Sequence, residues 1–311
     1  MTEIDVARHS LMIDPRLHIW GWEIPVYLFL GGLAAGLLIL TALLAMRPGE
    51  RSPSARWLGF AAPALVSVGM AALFLDLSFK WHVFRFYLAL RPASPMSWGA
   101  WILVVVYPVS LLAALAGLDD AQAERVVGFA GRLGLGQAIR ALRDVGARHL
   151  TRLRWANVAV GIALGVYTGI LLSTLGARAL WNSALLGPLF LVSGLSTGAA
   201  VMLFFGLNGE ERHFVTGWDL AAIGLEVVLL GLFLVGLATN GADGKAAAEL
   251  LLGGRYTAVF WSIVVIAGLA VPWGLEMLEV RLRLRATAVA PVLVLLGGFA
   301  LRWVMVAAGQ A

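Results

Sequence analysis

Apolar residues in this chain follow neither the strand period nor the stripe of a surface helix. They come in long unbroken runs separated by short breaks that carry arginine. A helix needs about 20 mostly apolar residues to cross a bilayer core. Eight runs reach that length, near 24–46, 58–77, 98–117, 155–177, 184–206, 218–238, 256–280 and 286–308. The first is too long and too far along the chain for a signal-peptide core, and it is expected to persist in the mature protein. One connection is long, residues 118–154. There Ile139, Leu142, Val145, Leu150 and Leu153 recur at helical spacing, interleaved with Arg140, Arg143, Arg148 and Arg152. That pattern predicts a basic amphipathic helix on an anionic leaflet.

Composition points the same way. Of 311 residues, 60% are hydrophobic and 13% charged, about half the charged share of a soluble domain. The expected fold is an all-α polytopic membrane protein with eight transmembrane helices in two four-helix bundles. Residues 1–117 hold spans 1–3, and 118–154 form the basic cytoplasmic loop. Residues 155–177 are span 4, completing the first bundle, and 178–311 hold spans 5–8. The motif Gly-Leu-x-x-Gly occurs at Gly32–Gly36 and again at Gly194–Gly198, in spans 1 and 5, which fits a duplicated four-helix unit. Gly161, Gly165 and Gly169 form a stripe in span 4, where small residues let helix backbones approach.

The net charge is +5, yet the arginines sit between apolar runs, so they read as membrane topology and not as a nucleic-acid face. Loops 1–2, 3–4, 5–6 and 7–8 carry 14 Lys/Arg against 8 on the other side. The positive-inside rule then places those loops in the cytoplasm and both termini in the periplasm of a bacterial inner membrane. Tryptophans gather near the predicted span ends as an interfacial belt, with Trp20, Trp22, Trp81, Trp98 and Trp181 on the outer side. Trp57, Trp155 and Trp218 mark the inner side.

Absence of cysteine excludes thiolate zinc, iron–sulfur ligation and cysteine nucleophiles within this chain. The five histidines, His9, His18, His82, His149 and His213, all fall outside the predicted spans. Bis-histidine b-haems are therefore not expected. Polar residues at membrane depth are the stronger functional candidates, since each is expensive there. Glu23 opens span 1 with Tyr27 one turn deeper, and Asp76 closes span 2 with Lys80 four residues on. Tyr107 precedes Pro108 in span 3, Tyr167 and Thr168 lie in span 4, Glu226 in span 6 and Arg302 in span 8. Each has a plainer reading as a packed aromatic or a neutralised pair. Asp219 and Glu276, nearer the inner face, are expected to reach water.

Four stretches resemble one family over nearly the whole chain. They are Trp20-Gly-Trp-Glu-Ile-Pro-Val-Tyr-Leu-Phe-Leu-Gly-Gly-Leu-Ala-Ala-Gly36, Arg91-Pro-Ala-Ser-Pro-Met-Ser-Trp-Gly-Ala-Trp101, the segment from Tyr167 to Asn182, and Val292–Arg302. Together they resemble the NrfD-type membrane subunits, the group that includes the polysulfide reductase anchor. The Ser-Pro-Met-Ser-Trp-Gly stretch is the most specific part.

The resemblance implies a subunit that binds menaquinone or ubiquinone and exchanges electrons with a four-cluster ferredoxin-like Fe–S partner, usually alongside a molybdopterin catalytic subunit. With no cysteine and no histidine inside a predicted span, this chain is expected to carry no haem or Fe–S centre of its own. The family's quinone-contacting tyrosine falls on Tyr167. A first-span histidine falls on Tyr27 and a neighbouring asparagine on Ile24, where this sequence departs from the pattern. Tyrosine offers a hydroxyl to a quinone oxygen but is not protonated at neutral pH as histidine is.

Glu23, His18, His82 and Trp98 complete the expected quinone site. Asp76, Lys80, Glu226 and Arg302 are the expected proton-transfer groups. The rival readings are a passive membrane anchor and a secondary transporter.

Overall fold

In the computed structural model, residues 20–77, 79–88, 91–282 and 287–311 are described. They are helical throughout their ordered elements. Eight helices are long and apolar enough to cross a membrane: Glu23–Met46, Pro53–Asp76, Pro95–Gly117, Leu150–Ser173, Leu186–Leu203, Gly209–Thr239, Thr257–Leu282 and Val289–Gly309. These are spans 1 to 8. The apolar runs located all of them, and the main differences lie in where spans 2, 4 and 6 begin. Each starts several residues earlier than its apolar run, because polar first turns continue the helix before the hydrocarbon is reached. Ser52 caps span 2 by accepting from the Ala55 N–H at 3.2 Å, with Pro53 in the first turn. Asn208 and Glu211 form a capping box that opens span 6 at Gly209.

Spans 1 and 5 are the most enclosed and pack directly on each other. Span 1 also touches spans 2, 4 and 8, and span 5 touches spans 4, 6 and 8. The repeated glycines explain that placement. A Cβ added at Gly194 would stand 2.5 Å from the Gly32 carbonyl oxygen, and one at Gly198 would stand 2.7 Å from Gly36 C. The two Gly-Leu-x-x-Gly motifs are therefore one helix crossing seen from both sides. Span 4 uses its own stripe in the same way, Gly161 against Ala35 and Ile39 of span 1 and Gly169 against Leu186 of span 5. With no water to expel between helices, close backbone approach is what holds these spans together.

The long connection departs from the single helix expected of it. It forms two helices, Asp120–Gly131 and Gly136–Arg148, joined by a turn in which Gly134 has φ +74°. Leu150, Arg152 and Leu153 belong to span 4 instead. The hairpin leans on span 3, where a Cβ at Gly146 would meet the Leu112 carbonyl oxygen at 2.8 Å. Asp119 anchors its start. Its carboxylate accepts the Gln122 N–H at 2.7 Å and pairs with Arg56, and these contacts, the backbone bond foremost, hold it below the usual carboxylate range.

The tryptophan belt is only partly interfacial. Trp22, Trp81, Trp98, Trp57, Trp155 and Trp218 are exposed, whereas Trp181 is buried and donates its indole N–H to the Met305 carbonyl at 2.7 Å. Trp181 also stacks on Trp20, with ring centroids 5.2 Å apart. The Trp20 backbone is in turn bonded to Gln310: its N–H donates to Oε1 at 3.0 Å, and its carbonyl accepts from Nε2 at 3.2 Å.

Candidate functional site

Between spans 1, 2, 3 and 4, at the end where span 1 begins, lies a cavity of about 510 Å³. Its walls are mostly apolar, built from Leu28, Met70, Leu73, Leu103, Leu171 and similar residues. Tyr27, Tyr167, Asp76 and Tyr87 add polar groups, and Trp20 closes one side. Tyr27 and Tyr167 are buried as residues, yet neither hydroxyl has a hydrogen-bond partner among the described residues. In apolar surroundings a polar group normally finds a partner or costs free energy. Two unpartnered hydroxyls on the wall of an apolar slot are thus donors waiting for an acceptor.

The local sequence explains how Tyr167 is held. Pro95 begins span 3 within the Ser-Pro-Met-Ser-Trp-Gly stretch, and Gly99 lies on its first turns. Any Cβ at position 99 would overlap the Tyr167 ring and hydroxyl. The tyrosine therefore lies flat against bare backbone. The preceding loop folds on itself, since Ser97 Oγ accepts the Arg91 N–H at 3.0 Å and the Trp98 indole N–H donates to the Pro92 carbonyl at 2.6 Å. Trp98 is partly exposed and shapes this loop, and it does not line the cavity.

Asp76 is at the cavity edge, and Glu23 is its acidic neighbour. Lys80 forms no ion pair with Asp76. Span 2 stops at Asp76, and Leu77 turns extended with ψ 125°, so the four-residue helical spacing is broken. His82 sits in an exposed turn, edge-on to the Phe79 ring at 6.3 Å, away from the cavity lining. His18 lies outside the described residues. Two contributors escaped the sequence reading. Tyr87 follows the expected loop 2–3 signals yet faces the cavity, and burial pushes its hydroxyl above the usual phenol range. Ser67, also lining the cavity, shares a 3.0 Å hydrogen bond with Tyr107 across spans 2 and 3.

Glu226 and Arg302 form a separate buried group between spans 5, 6 and 8. Arg302 is fully enclosed. Its guanidinium donates to Ser193 Oγ, to the Phe190 carbonyl at 3.0 Å and to the Gly298 carbonyl at 3.1 Å, and it lies 5.1 Å from the centre of the Phe190 ring. Gly32 makes room for it, as a Cβ there would stand 3.0 Å from one guanidinium nitrogen. Glu226 is its charge neighbour, with Ser193 between them and no direct ion pair among the described residues.

Asp219 and Glu276 contradict the expectation that they reach water. Both are buried, and they face each other beside Ser196. The cause is helix length. Span 6 begins at Gly209 and span 7 runs on to Leu282, so both acids lie several residues inside their helices.

Among the described residues no group of three or more His, Asp or Glu is placed to hold a metal ion. The family model described as polysulphide reductase, NrfD, matches residues 11–311. The chain belongs to the NrfD family. Its relatives include a polysulfide reductase chain of Wolinella succinogenes, 29% identical over 94% of both proteins. Protein NrfD of Escherichia coli (strain K12) is 34% identical over 82% of this chain and 83% of its own. A tetrathionate reductase subunit of Salmonella typhimurium is 25% identical over 96% of this chain and 82% of its own. NrfD membership and eight apolar helices make this a multi-pass integral-membrane subunit of the oxidoreductase type.

Proposed function

We propose that this NrfD-family protein is the quinone- or quinol-binding membrane subunit of a bacterial respiratory oxidoreductase. The observation that carries this reading is the apolar 510 Å³ cavity with the unpartnered hydroxyls of Tyr27 and Tyr167 on its wall. A quinone headgroup needs a flat apolar slot and donors for its carbonyl oxygens. Both hydroxyls are oriented by packing, Tyr167 by Gly99 and Tyr27 by the span 1–span 2 contact at Gly69. Menaquinone and ubiquinone both suit such a slot.

Reduction of a quinone consumes two electrons and two protons. The electrons come from a docked Fe–S subunit, itself served by a molybdopterin catalytic subunit. The names of two relatives, one a polysulfide reductase chain and one a tetrathionate reductase subunit, support such partners. Protons exchange at Asp76, which lines the cavity, with Glu23 as its acidic neighbour outside the lining. His82 lies in the exposed turn that follows span 2 and does not line the cavity. The eight spans are read as two four-helix units, 1–4 and 5–8, meeting through spans 1, 4, 5 and 8. The cavity is placed at the periplasmic face of the inner membrane, in line with the charge distribution of the loops.

Tyr167→Phe removes one donor and leaves the ring in place. The expected result is weaker quinone-linked turnover, a loss of about 0.5–1.5 kcal/mol in apparent quinone binding. Kinetics that superimpose on wild type across a full quinone titration count against Tyr167.

Glu226, Ser193 and Arg302 extend the reading to a proton route through spans 5, 6 and 8. Glu226→Gln keeps the shape and removes the exchangeable proton. Proton translocation coupled to turnover is expected to vanish in proteoliposomes while quinone binding persists. Unchanged translocation removes Glu226 from the route and leaves it a structural partner of Arg302.

A further inference from the structure

At the membrane face opposite the tyrosine cavity, the ends of spans 1 and 3 and the starts of spans 2 and 4 enclose a second, smaller cavity of about 70 Å³. Arg51, Arg56 and Arg154 line it, with Thr41, Ser110 and Asn157. Three guanidinium groups in one cleft call for negative charge, and only one of them has it. Arg56 pairs with Asp119. Arg51 donates to two backbone carbonyls, of Arg47 at 2.7 Å and of Pro48 at 2.9 Å. Arg154 has a buried Nε with no partner, and it feels the like charge of Arg51. Among the described residues no carboxylate pairs with either.

Beside them Asn157, itself more than nine-tenths buried, leaves its Oδ1 without a partner. The oxygen and nitrogen of an amide exchange places by a flip of the side chain, so that position can equally present an N–H donor. Like charges held side by side in a half-buried cleft repel. A compact anion with several acceptor oxygens relieves that repulsion and occupies the unpartnered donors, and guanidinium forks match phosphate geometry best.

The surroundings distinguish the source of the phosphate. Alanine methyls from spans 1 and 3 make up much of the wall, and the exposed indoles of Trp57 and Trp155 flank the same turns of spans 2 and 4. Exposed tryptophans at span ends mark the headgroup level of a bilayer. We infer that this cleft binds the phosphodiester of an anionic phospholipid between Arg51 and Arg154, with Asn157 at its floor. The lipid then ties the loop between spans 1 and 2 to the start of span 4. The site is independent of the quinone reading, which concerns the other membrane face.

Native mass spectrometry of the intact protein tests it, after purification in mild detergent and exchange into equal phosphatidylglycerol and phosphatidylcholine. Wild type is expected to retain one phosphatidylglycerol in preference to phosphatidylcholine. The double variant Arg51→Gln/Arg154→Gln is expected to lose that preference by about tenfold, the value of one charge-assisted hydrogen bond. Arg140→Gln, which breaks only the exposed pair with Glu124, is expected to leave it intact.

Equal retention of both lipids by wild type overturns the proposal, as does undiminished preference in a monodisperse double variant. If the double variant does not fold, thermal stabilisation of wild type in phosphatidylcholine nanodiscs decides. Doping with phosphatidylglycerol is then expected to raise the melting temperature where inorganic phosphate does not. An equal rise with inorganic phosphate reassigns the cleft to a free anion and overturns the lipid.

Discussion

Gly198→Ala is expected to cost this protein about 3 kcal/mol or more, although alanine is the better helix former. The added methyl carbon would stand 2.7 Å from Gly36 C and 2.8 Å from Leu37 N, backbone atoms that cannot rotate away. Spans 1 and 5 must separate, and overpacking of ordinary side chains already costs about 1–3 kcal/mol. Separation also loosens the Gly32–Gly194 contact and the Arg302 seat beneath it. The control is Gly224→Ala in span 6, where a Cβ meets nothing within 4 Å. There the helix preference acts alone, and the change is neutral or stabilising by up to about 1 kcal/mol. Thermal unfolding of the two variants in one detergent should therefore move in opposite directions. A Gly198→Ala protein as stable as wild type would show that the crossing is loose.

Arg302→Ala carries the second large effect. It deletes the only described cation enclosed with Glu226, together with three hydrogen bonds to Ser193, Phe190 and Gly298. Loss of the cation leaves Glu226 enclosed without a compensating charge, and stranding a buried charge in this way costs about 3–5 kcal/mol. Arg302→Met combined with Glu226→Gln removes both charges and keeps most of the volume. It should recover a large part of the loss seen with Arg302→Met alone, so the cycle of Arg302→Met and Glu226→Gln is expected to show strong coupling. Additive losses from the two changes would mean that Arg302 serves the carbonyls of spans 5 and 8 and not Glu226.

How much of this was legible from the sequence depended on the kind of signal. The eight spans were, because hydrocarbon thickness sets a length that apolar runs must meet. The crossing of spans 1 and 5 was half legible: the repeated Gly-Leu-x-x-Gly suggested duplication, while the structure makes the two copies face each other. Tyr27, Tyr167 and Asp76 line one cavity, whereas Glu23, His82 and Trp98, expected beside them, do not.

Asp219 and Glu276 were misread because hydropathy reports where an apolar run ends, not where the helix ends. Capping at Asn208 carries span 6 well outside its apolar run and leaves Asp219 deep among other helices. Gly99 was visible only as a letter in a motif, since its use depends on a tyrosine 68 residues along in another helix. Lys80 failed as a partner for Asp76 for a similar local reason: the helix needed to align them stops at Asp76.

The stacked indoles of Trp20 and Trp181 have an optical consequence. Trp20 lines the cavity and is clamped from behind by Gln310, so its ring is held at a fixed place on the wall. Quinones are efficient quenchers of indole emission at contact, and of the twelve tryptophans only Trp20 lines that space. The native protein thus carries its own reporter. Occupancy of the cavity can be followed in detergent by the light it extinguishes, with Trp20→Phe as the dark control, before any partner subunit has been purified.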